Sequence, residues 1–192
     1  MRAAERAGWD HRFAQGHGFI GADAPELRRL AEAIRPRPGA RALDVGCGLG
    51  TYAAALAALG CDTLAVDWAD AAVAATRDRY ADLEPRLRTA LLDFEDTDAV
   101  AATLPRGSFD IVTMRLVLAF MSDKQAATDR VRDLLAPGGV WMVTTPLAHR
   151  LPEERRGIGL TSEDVALVTD GWARGEWYDL ERAGLRCLLL RS

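Results

Sequence analysis

The chain has 192 residues, 24 basic and 28 acidic side chains for a net charge of −4, and 49% hydrophobic residues. That length suits a single domain with a substantial core, and the apolar share excludes a disordered chain. The acidic balance argues against a large nucleic-acid footprint. No apolar run approaches the roughly 20 residues of a membrane helix, and the N-terminus lacks the apolar stretch of a secretory signal, so a cytoplasmic protein is expected.

Strand-like and helix-like segments alternate along the chain. In Ala24–Ile34, Leu27, Leu30, Ala31 and Ile34 share one helical face, and Pro36 stops the helix. A buried strand ends over 42–45, and 51–59 is an almost wholly apolar helix closed by Gly60. A second strand at 63–66 precedes a helix over 70–80 that Asp70 can cap. Strand three, at 87–92, carries arginines like an edge strand, and a weaker helix spans 96–104.

Strand four lies over 109–114, a helix runs from Ser122 or Asp123 to Leu135, and strand five covers 140–145 after Pro137-Gly138-Gly139. The end admits a helix at 177–183. The other reading has a helix over Ser162–Thr169, capped by Thr161 or Ser162, with strands at 173–180 and Leu185–Arg191 turning at 181–184; it is preferred, partly on the strand count that the family resemblance given below implies. This order predicts a parallel sheet with right-handed crossovers and helices on both faces.

Residues 46–50, Gly-Cys-Gly-Leu-Gly, form the most informative segment. A glycine-rich turn between a strand and a helix lets a ligand approach bare backbone and the first N–H groups of the helix. The dinucleotide spacing G-x-G-x-x-G would need glycine at position 51, where the chain has Thr51; Gly46, Gly48 and Gly50 are spaced G-x-G-x-G instead. No Tyr-x-x-x-Lys pair exists either, since Lys124 is the only lysine. Both facts disfavour an NAD-dependent oxidoreductase.

The run Leu43-Asp44-Val45-Gly46-Cys47-Gly48-Leu49-Gly50 resembles the first motif of the class I S-adenosylmethionine-dependent methyltransferases. The resemblance covers about 40–145. It implies a Rossmann-like, doubly wound, seven-stranded and mostly parallel sheet with an antiparallel C-terminal strand, and S-adenosyl-L-methionine as cofactor. One domain over 1–192 is expected: an N-terminal lid and helix (1–38), a cofactor-binding core (40–145), then a substrate-side loop, last helix and β-hairpin (146–192).

Residue by residue, the resemblance carries Gly46, Cys47, Gly48 and Gly50 to the cofactor turn and Asp44 to the cofactor's ammonium. Asp67, 21 positions after Gly46, corresponds to the acid that accepts from the ribose hydroxyls, with capping of the next helix as its other reading. Trp68 would lie against the adenine or serve ordinary packing. Asp93 and Phe94 match the adenine-amino acceptor and the neighbour whose N–H meets a ring nitrogen, although Asp93-Phe94-Glu95-Asp96 also reads as a solvated turn. Arg115 matches in position a residue near the methionyl part.

Methyl transfer from a sulfonium is an in-line displacement, so alignment, which can supply roughly 7–11 kcal/mol, outweighs a general base at about 10²- to 10⁴-fold. No catalytic residue is assigned; His11, His17 and His149 are candidate bases by location alone. Cys47, Cys61 and Cys187 form no metal or disulfide pattern, and no metal is expected. Thr113-Met114-Arg115-Leu116 lacks the Asn-Pro-Pro-Tyr type of motif, no Pro-Cys pair occurs, and Phe120 stands where some family members have histidine. Base methylation of nucleic acid is thus disfavoured.

The expectation is methyl transfer to an oxygen or nitrogen of a small organic acceptor. The aromatic stretch from Trp9 to Ile20 and the loop 146–160 would form the substrate side. A catalytically silent protein that binds the cofactor in a structural or regulatory role is the alternative.

Overall fold

The computed structural model describes residues 2–180 and 184–192 and divides into two compact units, Met1–Thr103 and Leu104–Ser192. The first contains α1 (Arg2–Ala14), α2 (Ala24–Ile34), β1 (Arg41–Val45), α3 (Thr51–Ala58), β2 (Asp62–Asp67), α4 (Asp70–Arg79), β3 (Leu87–Leu91) and α5 (Thr97–Thr103). Its strands are parallel in the order β3-β2-β1. From Ala42 to Val45 β1 is buried without alternation, the mark of a strand covered on both faces. β3 is half-exposed and pairs at the edge of this unit, as its arginines predict.

Register places the functional segments together. Val45 pairs with Val66, and Asp67 with Leu91, so the glycine turn, Asp67 and Asp93 all lie at the carboxyl ends of neighbouring strands. Ligands of open α/β sheets bind at such ends.

One predicted cap is corrected. Asp70 is the first residue of α4 rather than its cap; the N-cap is Ala69, which has no side chain for the task. The Ala71 N–H donates instead to Asp10 Oδ1 of α1 at 2.8 Å. Periodicity also gave no helix before residue 24, whereas α1 is helical and packs against α4 through Trp9 and Phe13.

The second unit contains β4 (Phe109–Arg115), α6 (Lys124–Leu134), β5 (Leu135–Pro146), α7 (Ser162–Thr169), β6 (Arg174–Asp179) and β7 (Leu185–Arg191). Its strand order is β4-β5-β7-β6, with β5 parallel to β4 and β7 antiparallel to both neighbours. β5 is longer than predicted. Phe109 pairs with Leu135 and Ile111 with Val140, so Pro137-Gly138-Gly139 forms a bulge inside the strand rather than a break before it. β6 and β7 pair antiparallel as the strand reading predicts, and Trp177, Tyr178 and Asp179 lie in β6 rather than in a helix. The predicted turn at 181–183 lies outside the described residues.

Caps agree with the sequence elsewhere. Asp123 accepts from the Ala126 N–H, and Thr161 with Asp164 forms a capping box on α7. No described helix is long and apolar enough to cross a membrane.

Candidate cofactor site

The turn after β1 is fixed by hydrogen bonds before any ligand is considered. The N–H groups of Gly46 and Cys47 both donate to the Val66 carbonyl, at 2.8 and 3.0 Å, which folds the turn back over β2. Gly46, Gly48 and Gly50 have φ of 67°, 53° and 77°, the left-handed region that penalises a side chain. Gly50 is the N-cap of α3 and contributes no side-chain cap to the helix start.

Two of these glycines also serve the protein's own packing. A Cβ on Gly50 would stand 2.5 Å from Thr76 Cγ2, and one on Gly48 would stand 3.2 Å from Phe13 Cε1. Close ligand approach is therefore not the sole reason for glycine here.

Asp67, the last residue of β2, is 4% exposed. Its Oδ2 accepts from the Gly48 N–H at 2.9 Å and its Oδ1 from the Ala69 N–H at 3.0 Å. The carboxylate organises the chain at the start of α4, and it also reaches the glycine turn. Burial raises its pKa above the ordinary carboxylate value, against the lowering effect of the backbone N–H groups. An ionised carboxylate has about four acceptor directions; the Gly48 and Ala69 bonds use two, and the Trp68 N–H also acts on the group. What remains is acceptor capacity at the turn, which fits a ligand bringing hydroxyl donors.

Asp44 is 2% exposed within β1. The Cys47 thiol is buried too, and burial, then the charges of Asp67 and Asp44, push its pKa well up. Both effects favour the neutral thiol over the thiolate.

The Leu92 N–H donates to the Asp67 carbonyl at 2.8 Å, which brings Asp93 beside the end of β2. Asp93 Oδ1 accepts from the Glu95 N–H, and Phe94 is buried. Asp93 thus closes a local turn and is half-buried rather than fully solvated. Trp68 packs with Trp9, Leu49 and Ala71 around Phe13, Ala69 and Ala72.

Arg115 ends β4 in the second unit, and Leu116 after it has φ 59°, an uncommon conformation for leucine. His11, His17 and His149 are exposed, and the histidine ring of His11 lies 3.0 Å from Gln15 Nε2.

Sequence reasoning missed three polar contacts. The Thr76 hydroxyl donates to the Gly48 carbonyl at 2.9 Å, Asp10 supplies the cap of α4, and the buried Glu26 accepts from Tyr52 Oη at 2.7 Å. Only Glu26 carried a signal, as an acid one position before Leu27 and the apolar face of α2.

Comparison with known proteins fixes the class. The family model described as a methyltransferase domain matches residues 43–141. The chain is 36% identical over 152 residues to a nocamycin O-methyltransferase of Saccharothrix syringae, covering 78% of this chain and 52% of that protein. It is 32% identical over 130 residues to a ubiquinone biosynthesis O-methyltransferase of Psychrobacter cryohalolentis, covering 67% and 47%. The chain thus spans about half the length of these curated relatives. Among solved structures, the N-methyltransferase NodS of Bradyrhizobium japonicum in complex with S-adenosyl-L-homocysteine superposes with a TM-score of 0.71 at 18% identity, over 97% of this chain and 96% of that one. The fold is the Rossmann-like α/β fold with seven strands and an antiparallel C-terminal strand. The chain belongs to the class I S-adenosylmethionine-dependent methyltransferase family.

Proposed function

We propose that the protein transfers a methyl group from S-adenosylmethionine to a hydroxyl oxygen of a small organic molecule. The observation that carries this reading is the buried Asp67 carboxylate on the Gly48 N–H, with acceptor capacity left at the turn of a family-matched segment. The turn would hold S-adenosylmethionine, whose sulfonium would supply the methyl group: the acceptor oxygen would bond to the methyl carbon as its bond to sulfur breaks, the neutral thioether S-adenosylhomocysteine leaving and the hydroxyl proton passing to solvent. The chain's own work is binding and orientation. Asp67 accepts from the ribose hydroxyls, the turn at Gly46, Cys47, Gly48 and Gly50 receives the cofactor against bare backbone, and Asp44 attracts its ammonium. Asp93, Phe94 and Trp68 take the adenine end, and Arg115 the methionyl end, as the family resemblance implies.

The family match runs through residue 103, where the two compact units divide, which supports reading both as one methyltransferase domain. Both relatives compared are named for transfer to oxygen, which favours oxygen over nitrogen as the acceptor atom. Three buried free thiols suit a reducing compartment, here the cytoplasm.

Thermal unfolding with S-adenosylmethionine, S-adenosylhomocysteine and NAD in parallel tests the cofactor. Ligand at about 100 times its dissociation constant adds roughly 2.7 kcal/mol, or about 5–10 °C for a chain of this size. Shifts with the two sulfur ligands are expected, and a shift with NAD alone would overturn the reading. Single-turnover transfer to a panel of hydroxyl compounds then separates an enzyme from a silent binding protein.

A further inference from the structure

Gly48 is held from both sides. Its N–H donates to Asp67 Oδ2 at 2.9 Å, and its carbonyl accepts from Thr76 Oγ1 at 2.9 Å. The two bonds fall on the two peptide groups that flank one residue, so together they fix a backbone that glycine alone would leave free to leave its φ of 53°. Thr76 has no exposed surface and sits in the middle of α4. A helical threonine commonly returns its hydroxyl to the carbonyl one turn back in its own helix. This one donates across to the turn, 28 positions away in sequence.

The same side chain meets the turn at two more points. Its oxygen lies 3.7 Å from Cys47 Sγ, within reach of a sulfur hydrogen bond. Its methyl occupies the place that a Cβ on Gly50 would need. Thr76 thus touches three of the five turn residues from a helix that begins three positions after Asp67.

The geometry points to Thr76 as a positioning residue of the cofactor turn: its hydroxyl locks the Gly48 carbonyl, so that the turn stands in its binding conformation before the cofactor arrives. The inference rests on the proposed cofactor reading. A turn released from Thr76 must be ordered at the moment of binding, and that ordering lowers affinity rather than maximal rate.

Three variants decide it. Thr76→Val keeps the shape and removes the hydroxyl, Thr76→Ser keeps the hydroxyl and removes the methyl, and Thr76→Ala stands in should the valine protein fail to fold. Two measurements are read on each: amide hydrogen exchange over residues 46–50 in the ligand-free protein, and S-adenosylhomocysteine affinity by calorimetry. Thr76→Val is expected to speed exchange in the turn and to weaken binding about three- to tenfold, the range of one net hydrogen bond, with Thr76→Ser restoring both. Unchanged exchange in a folded Thr76→Val protein, or affinity within about twofold of wild type, overturns the inference. If the wild-type protein fails to bind S-adenosylhomocysteine, the proposed function falls, and the exchange measurement still decides whether Thr76 locks the turn.

Discussion

Two aspartates, one in each compact unit, show how differently the same side chain is used. Asp67 is buried, and its partners are backbone N–H groups, those of Gly48, Ala69 and Trp68. Asp179 is 38% exposed at the end of β6 and takes both Arg186, through Nε at 2.8 Å, and Arg150, through Nη2 at 3.0 Å. Their pKa values move in opposite directions: burial raises that of Asp67, while the arginine hydrogen bonds hold Asp179 well below the usual carboxylate range. An acid whose partners are full-strength cations has little left for a ligand. One kept buried with spare acceptor directions gains when donors arrive, and perturbed acids of this kind concentrate at functional sites.

The largest expected effect comes from removing Asp67. Asp67→Ala strands the Gly48 and Ala69 N–H groups, each at a cost of about 1–3 kcal/mol, partly offset by release from the burial of a charge. Apo stability by chemical denaturation should therefore fall, and the melting shift with S-adenosylmethionine should disappear. The comparison adds a pH test. Because the ionised form accepts from hydroxyls, affinity should be lost as pH falls through a pKa above that of an ordinary aspartate. The acid's effect on apo stability runs the other way: the contribution of a raised pKa is full below the unfolded value and lost as pH rises through the folded one. A calorimetric affinity that stays flat down to the ordinary carboxylate range would remove Asp67 from the ribose role.

How far this region could be read from the chain follows the range of each interaction. The turn at 46–50 and the position of Asp67 were legible because glycine spacing and strand ends are local features, and register then aligned Asp67 with the turn through the pairing of Val45 with Val66. The C-terminal strands were less legible: the residues also admitted a helix at 177–183, and the strand reading leaned partly on the family resemblance. The restraints on the glycine turn were not legible. Thr76 reaches it from 28 residues away, Asp10 caps α4 from 61 residues away, and Glu26 meets Tyr52 across 26. A threonine inside a helix and an aspartate near the N-terminus are ordinary residues until packing sets them beside an unsatisfied backbone group. The misplaced cap at Asp70 has the same origin, since an acid at the first helical position and an acid one residue earlier look alike in sequence. β5 was read short because Pro137-Gly138-Gly139 signals a break, and a bulge spends the same residues without ending the strand.

A middle-sized effect would sharpen the contrast by testing what holds α1 on the first unit. Asp10 is the side chain that takes the Ala71 N–H, and Arg6 pairs with Asp70 at 3.4 Å beside it. Asp10→Ala should lower stability by about 1 kcal/mol, the usual cost of a lost helix cap, and Asp10→Asn should recover most of it, because asparagine caps equally well. Faster amide exchange across α1 in the alanine variant, and not in the asparagine one, would tie the docking of α1 to this bond. Equal exchange in both would leave the packing of Trp9 and Phe13 as the attachment.

The smallest effect is expected at Asp179. Its partners lie near the surface: Arg186 also stacks its guanidinium 3.8 Å from the Trp177 ring centroid, and that contact survives loss of the acid. Solvent screening limits exposed pairs of this kind to at most about 1 kcal/mol, so Asp179→Asn should lower the melting temperature by only a few degrees. The sign with pH separates it from Asp67. A lowered pKa gives stability that is present above the unfolded carboxylate value and is lost as pH falls toward the folded one, so the wild type and Asp179→Asn should converge on acidification. Binding of S-adenosylhomocysteine by Asp179→Asn should match wild type. A loss of affinity there would break the comparison, because it would make the paired acid a contributor to the site and not only to the hairpin.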